Sequence, residues 1–404
     1  MAKFLFECPR YYPTKGGIQM SMYNLAKSLT KKGHEIHVIC RNYPKNLDKY
    51  NKMKELEGVK LTFFQDNGVP SIFEFLRYFK RRKSFKNALK KLIEKEKFDI
   101  VISRFSYFVE PTKELIPNIP IIYWHPSILY IAFKKYSENT NRLIEKINFA
   151  LISLHTFLIE KKADKLADKV LVRSNVMKKI ITSKFKTDQK KIDILNQGVD
   201  LTKFKEKTKN ADLIKKFNLK DKKVILTVSR LKPDKNNSGL IKIFSKIKDK
   251  NSVLMIVGGG VGKGMERKYL ETLAKKLNIG DRVIFTGEQE DTEKFYNLAD
   301  IFVLASEQEG FPNVYLEAMA SGVPIIGFHS NLPKITVPTE EICKNNSGFA
   351  VKDGDEMTKK IDFLLKNNKV RNMMGKSARK EAEKYNWDNS YENLMRLLRK
   401  WDYI

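Results

Sequence analysis

Short apolar runs alternate with longer amphipathic stretches along the whole chain. Lys3–Cys8, Glu35–Cys40, Leu61–Gln65, Asp99–Ser103, Ile119–Trp124, Val224–Ser229, Val253–Val257 and Ile301–Leu304 are such runs. Their length and continuity predict strands buried on both faces. Between them, apolar residues recur at helical steps, as in Ile18, Met22, Leu25, Ala26 and Leu29, which predicts helices with one buried face. The alternation predicts an α/β protein built on parallel sheets. A chain of 404 residues favours two domains, each with its own core. Near the end, Tyr391, Leu394, Met395, Leu398 and Trp401 share one helical face.

Candidate chemistry concentrates after the run Ile301–Leu304. Glu309-Gly310-Phe311 follows it, and Pro312 suits a first helical position, where its missing N–H would be unpaired anyway. Tyr315, Leu316, Met319 and Ala320 form an apolar stripe, which Gly322 and Pro324 bring to an end. The start of this helix, from Gly310 to Asn313, is a natural anion site, and Gly310 lets a ligand approach the backbone. Glu309 sits in the loop and Glu317 in the second turn of the helix. Two carboxylates around an anion-binding turn suit a ligand with both phosphate and hydroxyls, such as a nucleotide-sugar.

Other strand ends add to this. Lys3–Cys8 leads through a loop to Gly16-Gly17 and a helix, the order of a phosphate-binding βαβ unit, without the third glycine of a dinucleotide fingerprint. Val224–Ser229 delivers Arg230 and Lys235, two fixed cations suited to a departing diphosphate. Val253–Val257 precedes a glycine cluster, Gly258 to Gly264. Val257 stands where a P-loop needs its first glycine and Gly264 where it needs Ser or Thr. Ile119–Trp124 runs into His125, which a doubly wound sheet would place in its ligand crevice. Asp353-Gly-Asp355 matches a metal-binding Asp-x-Asp pattern but reads better as a helix cap. His34 and His37 have no carboxylate or cysteine to complete a metal set, so neither metal nor cofactor is expected.

The net charge of +30 would suit nucleic acid, an anionic membrane or an anionic substrate. A chain rich in Lys and Asn also acquires such a charge by compositional drift. No helix-turn-helix, zinc-finger or RNA-recognition pattern appears, so no nucleic-acid partner is expected. Cys8, Cys40 and Cys343 are odd in number and scattered, which fits a reducing cytosol. The opening strand meets Pro9 too soon for a signal peptide. Leu143–Ile159 is the most apolar stretch, yet with Glu145, Lys146, Asn148 and His155 it falls short of the roughly 20 apolar residues that span a bilayer. Ile72–Lys83 mixes aromatics and cations as interfacial helices do. The expectation is a cytoplasmic protein, with peripheral contact to an anionic membrane through Ile72–Lys83.

Glu309-x7-Glu317 with Gly310-Phe311-Pro312 inside it, followed by Glu-Ala-Met-Ala-x-Gly-x-Pro, resembles the signature of family 4 retaining glycosyltransferases. The resemblance implies the GT-B fold of two facing doubly wound, Rossmann-like domains, with a last helix crossing back to the first. Spans of 1–185, 186–380 and 381–404 follow for the acceptor-side domain, the nucleotide-sugar domain and the returning helix. It implies transfer of a sugar from a nucleotide-diphosphate sugar to a hydroxyl acceptor, such as a lipid-linked or surface-glycan precursor, in the cleft between domains. Arg230 and Lys235 would grip the diphosphate, with Gly16 and Gly17 facing it. Gly258 would lie beside the nucleotide, and Gly287 would begin the turn that holds the base. Glu309 would touch the sugar, His125 would lie near it, and Glu317 would hold the ribose. No side chain stands as a covalent nucleophile, so the implied mechanism is front-face transfer. Gln197 departs from the family's usual Asn in the turn Gln197–Asp200. A GT-B epimerase or phosphorylase is the rival reading. The first needs no acceptor, and the second depends on pyridoxal phosphate or free phosphate. A basic nucleic-acid-binding protein would instead show salt-sensitive retention on DNA without donor hydrolysis.

Overall fold

A computed structural model describes the chain except residues 15, 66–73, 140–142, 261–263 and 333–334. The side chains of residues 45, 46, 74–77 and 139 also lie outside the described set. The chain forms two compact units, Met1–Gly198 with Trp387–Ile404, and Val199–Asn386.

The first unit runs β1 (Lys3–Cys8), α1 (Gly17–Lys31), β2 (Glu35–Arg41), β3 (Glu55–Leu56), β4 (Val59–Phe64), α2 (Glu74–Ile93), β5 (Ile100–Ser103), α3 (Ser106–Leu115), β6 (Ile121–Trp124), α4 (Leu129–Asn139), α5 (Leu143–Leu166), β7 (Lys169–Val172), α6 (Asn175–Phe185) and β8 (Ile192–Ile194). Its sheet has the order β3-β4-β2-β1-β5-β6-β7-β8. Only the β3–β4 pair is antiparallel. The order reverses between β1 and β5, so the crevice for a ligand lies at their carboxyl ends. β8 pairs with β7, and this carries the unit past residue 185 to Gly198. The closing helix begins at Trp387 and packs Leu394, Met395, Leu398 and Trp401 into the same core as Phe4, Met22 and Leu25. Polar ties hold it in register: Trp401 Nε1 donates to Asp193 at 3.2 Å, and Ser390 Oγ to the Asn196 carbonyl at 3.0 Å. The last helix thus belongs to the first unit, from Trp387 onward.

The second unit contains β9 (Lys223–Val228), β10 (Ser252–Val257), β11 (Val283–Gly287), β12 (Ile301–Leu304), β13 (Ile325–Phe328) and β14 (Gly348–Val351). All are parallel, in the order β11-β10-β9-β12-β13-β14. The reversal falls between β9 and β12, which brings together the loops that follow Val228 and Leu304. Apolar layers cover both faces of this sheet, as its near-continuous apolar strands require.

Candidate active site

On the second unit, the loops after β9 and β12 meet at the strand-order reversal. Lys235 ends a short turn, Pro233–Lys235, and Glu309 lies in the loop after β12. Lys235 Nζ stands 2.5 Å from Glu309 Oε1 and 3.4 Å from Asp234 Oδ2. The backbone joins the same two loops, with Glu307 N donating to the Asp234 carbonyl at 3.2 Å. Burial alone would lower the Lys235 pKa, but Glu309 and Asp234 outweigh it and hold the ammonium above the ordinary lysine value. Lys235 therefore stays charged. Arg230 is exposed at the end of β9. Lys232 joins these two cations, its pKa lowered by burial and by Arg230. Its place between Arg230 and Lys235 is the signal for it in the sequence.

The helix Asn313–Ala320 starts one residue later than expected. Pro312 is its N-cap, with an extended ψ of 110°, and its carbonyl accepts from Tyr315 N at 3.1 Å. Gly322 ends the helix at φ 74°. Glu317 does fall in the second turn, where Oε2 accepts from Tyr296 Oη at 2.7 Å. Burial raises its pKa, against the pull of that hydrogen bond and of Lys203. The Phe311 ring is buried 5.7 Å from Tyr385, so it anchors the turn in the core and leaves its backbone to the expected anion site. Gly310 is buried beside it. Ser306 Oγ and Asn313 Oδ1 are buried and meet no hydrogen-bond partner among the described residues. Orphaned buried groups on either side of Glu309 are what a polar ligand would satisfy.

Gly258, expected beside the nucleotide, also meets a demand of the backbone itself. At φ 142°, a Cβ here would sit 2.0 Å from the Ser229 carbonyl oxygen. The residue is glycine because β9 and β10 close on each other at this point, with Leu231 N donating to the Gly259 carbonyl at 2.9 Å. Gly258→Ala should therefore lower stability by about 3 kcal/mol, read from the denaturant midpoint. An unchanged midpoint would return Gly258 to a ligand-facing role. The rest of this cluster, residues 261–263, lies outside the described set. Gly287 closes β11 at φ 74°, with open space where a Cβ would stand. Asp353 accepts from Glu356 N at 2.7 Å as the helix cap, and Asp355 pairs with Lys246 at 2.8 Å. Among the described residues no cluster of His, Cys, Asp and Glu is placed to hold a metal.

On the first unit, Gly16 caps α1 and Gly17 is its first residue. Three strands end in a row with chemically capable residues: Arg104 after β5, His125 after β6 and Arg173 after β7. All three side chains turn inward. His125 is wholly buried, its Nε2 2.6 Å from Asp164 Oδ1, while Asp164 Oδ2 accepts from Thr187 at 2.7 Å. His125, expected in the ligand crevice near the sugar, instead has its side chain in the core, because α5 delivers a buried carboxylate to the imidazole. Glu160, one turn earlier on α5, accepts from Leu129 N at 2.9 Å and Tyr130 N at 3.2 Å. Burial pushes its pKa up to about 7. Arg104 lies 3.9 Å from the Trp124 ring centre and donates to the Trp124 and His125 carbonyls. Arg173 donates to Gln197 Oε1 at 3.0 Å and to the Pro126 carbonyl. The longer amide of Gln197 is thus used to hold an arginine. Arg104 and Arg173 follow their strands as directly as His125 does, and that position was the signal available for them.

Comparison with known proteins agrees with this architecture. Residues 15–203 match the model of Glycosyltransferase Family 4, and residues 209–381 match Glycosyl transferases group 1. A glycosyltransferase of Methanocaldococcus jannaschii is 25% identical over 94% of this chain and 93% of its own. The UDP-Gal:alpha-D-GlcNAc-diphosphoundecaprenol alpha-1,3-galactosyltransferase of Escherichia coli is 26% identical, over 91% of this chain and 89% of its own. Among solved structures, sucrose-phosphate synthase from Thermosynechococcus elongatus superposes with a TM-score of 0.81, over 99% of both chains at 20% identity. Two doubly wound units and this likeness show the GT-B fold. The chain belongs to the group 1 glycosyltransferases of family 4.

Proposed function

We propose that this glycosyltransferase moves a sugar, with retention of configuration, from a nucleotide-diphosphate sugar to a hydroxyl of a lipid-linked glycan precursor. The Lys235–Glu309 pair at the β9/β12 reversal carries the reading. Lys235, Lys232 and Arg230 place positive charge where a departing diphosphate needs it. A diphosphate on Lys235 would take over the place of Glu309 and leave that carboxylate to the sugar. Glu317 and Tyr296 would hold the ribose hydroxyls. The bond from the anomeric carbon to the phosphate oxygen breaks as the bond to the acceptor oxygen forms on the same face, and the acceptor proton passes to the departing phosphate. His125 supports the strand end through Asp164. The E. coli relative, named for a diphosphoundecaprenol acceptor, supports a lipid-linked acceptor here.

The test begins with thermal shifts against UDP-, GDP- and ADP-sugars, since a ligand at 100 times its Kd stabilises by about 2.7 kcal/mol. The preferred donor is then turned over in excess chelator, and the product anomer is read by NMR. Turnover should persist, because Asp353 and Asp355 are engaged as a cap and an ion pair. An inverted anomer would overturn the retaining mechanism, and a loss of turnover reversed by magnesium would overturn metal independence.

A further inference from the structure

We infer that the outer face of α5 is a docking surface for an anionic lipid bilayer. This helix is amphipathic in the wrong sense for a protein in water. Its buried positions are Ser153, Thr156, Glu160, Ala163 and Asp164. Its outer positions are Leu143, Ile144, Ile147, Leu151, Leu154 and Leu158, each between 53% and 84% exposed. From 143 to 158 the only charged residue in the exposed class is Lys146. A contiguous apolar strip of this kind marks an interaction surface. Among the described residues no helix is long and apolar enough to cross a membrane, so the strip fits a helix lying along a surface.

Charge identifies the occupant. Ile144, Ile147, Leu151, Leu154, Leu158, Lys161 and Lys165 follow one another in strict steps of three and four. One arc of the helix is thus apolar for four turns and cationic at its end. That spacing is also a coiled-coil seam. A second copy would bring another chain of net charge +30 and set Lys161 and Lys165 either against each other or onto the partner's apolar residues. An anionic bilayer satisfies both parts. The leucines and isoleucines enter the acyl boundary, and the lysines reach the phosphate level. The surface continues onto α2. The Tyr78 ring packs edge-on at 5.1 Å from His155 of α5, and the next residue, Phe79, is 49% exposed. This refines the expectation for Ile72–Lys83. Residues 72 and 73 and the Arg77 side chain lie outside the described set, and Arg82 is committed to Glu110 and Glu114. Among the described residues, the exposed apolar positions of this surface lie mainly on α5.

The experiment uses the whole chain and sedimentation with vesicles of phosphatidylcholine alone or mixed with phosphatidylglycerol. The wild type should bind the mixed vesicles at least tenfold more tightly. Leu151→Glu with Leu154→Glu should lose at least tenfold in that binding, and the milder Leu151→Ser with Leu154→Ser should lose less. Lys161→Glu with Lys165→Glu should flatten the dependence on lipid charge and on salt. All variants should keep the wild-type thermal shift with donor nucleotide, since none lies at the donor loops. The inference rests on the α5 surface alone, so its failure would leave the transferase reading standing. Unchanged vesicle binding by the Leu→Glu variant overturns it. So does a wild type that ignores vesicles but forms a dimer which that variant splits.

Discussion

Glu309→Ala should lower kcat by roughly 10²–10³ and leave nucleoside diphosphate affinity close to wild type. Glu309 lies in the loop just before the helix Asn313–Ala320, beside Lys235. On the proposed reading it would meet the sugar, where charge develops in the transition state, rather than the nucleotide. Glu317 is the internal comparison. It sits one turn into the helix and is fixed by Tyr296. A carboxylate that accepts two ribose hydroxyls binds ground state and transition state alike, so Glu317→Ala should raise the donor KM with kcat nearly intact. Hydrogen bonds to charged groups contribute about 1.5–3 kcal/mol, and Glu317→Ala should lose that much affinity for the free nucleoside diphosphate. Calorimetry of both variants beside initial rates separates the roles. If Glu309→Ala loses the nucleotide while Glu317→Ala keeps it, the assignment is reversed. If neither binding nor rate changes, the site is elsewhere.

Much of this arrangement was legible because it is local in sequence. The runs of β1, β9, β10 and β12 are mostly apolar, so their burial on both faces follows from composition. The helix after Pro312 is framed by Gly322 and Pro324. The second-turn position of Glu317 follows from counting along that helix. What could not be read depends on distant residues. Nothing near His125 announces that Asp164, delivered 39 residues later by α5, will take its Nε2. Gly258 resembles a ligand-facing glycine until the Ser229 carbonyl is seen 2.0 Å from where its Cβ would be. Phe311 stands inside a ligand motif, yet a large apolar ring beside Tyr385 is worth more in the core. The first unit extends to Gly198 because β8 finds its partner in β7, and no composition shift marks that pairing. The polarity of α5 was the least legible of all. Its pattern shows an amphipathic helix, but which face turns inward is decided by His125 and by the free N–H groups of Leu129 and Tyr130, which claim Asp164 and Glu160.

Lys235→Ala should have the largest effect of any single change at the donor loops. The ammonium is the counter-charge to Glu309 and Asp234, with its side chain only 12% exposed. Its removal leaves two carboxylates facing each other and repelling the incoming diphosphate. Loss of one member of a largely buried pair costs about 3 kcal/mol in stability, and loss of the cation proposed to stabilise the departing diphosphate should cost roughly 10³ in kcat/KM. The two effects can be separated with Lys235→Ala combined with Glu309→Gln. Neutralising Glu309 relieves the uncompensated charge, so the double variant should recover part of the lost stability. It should stay well below the turnover of Glu309→Gln alone, because the diphosphate still lacks its cation. Melting temperature and initial rate would be measured for the wild type, both single variants and the double variant. A double variant as active as Glu309→Gln alone would show that Lys235 only balances Glu309 and does not act on the donor. Stability losses that simply add would show that the two side chains do not interact in solution, and the pair at the β9/β12 reversal would then carry no argument about the donor.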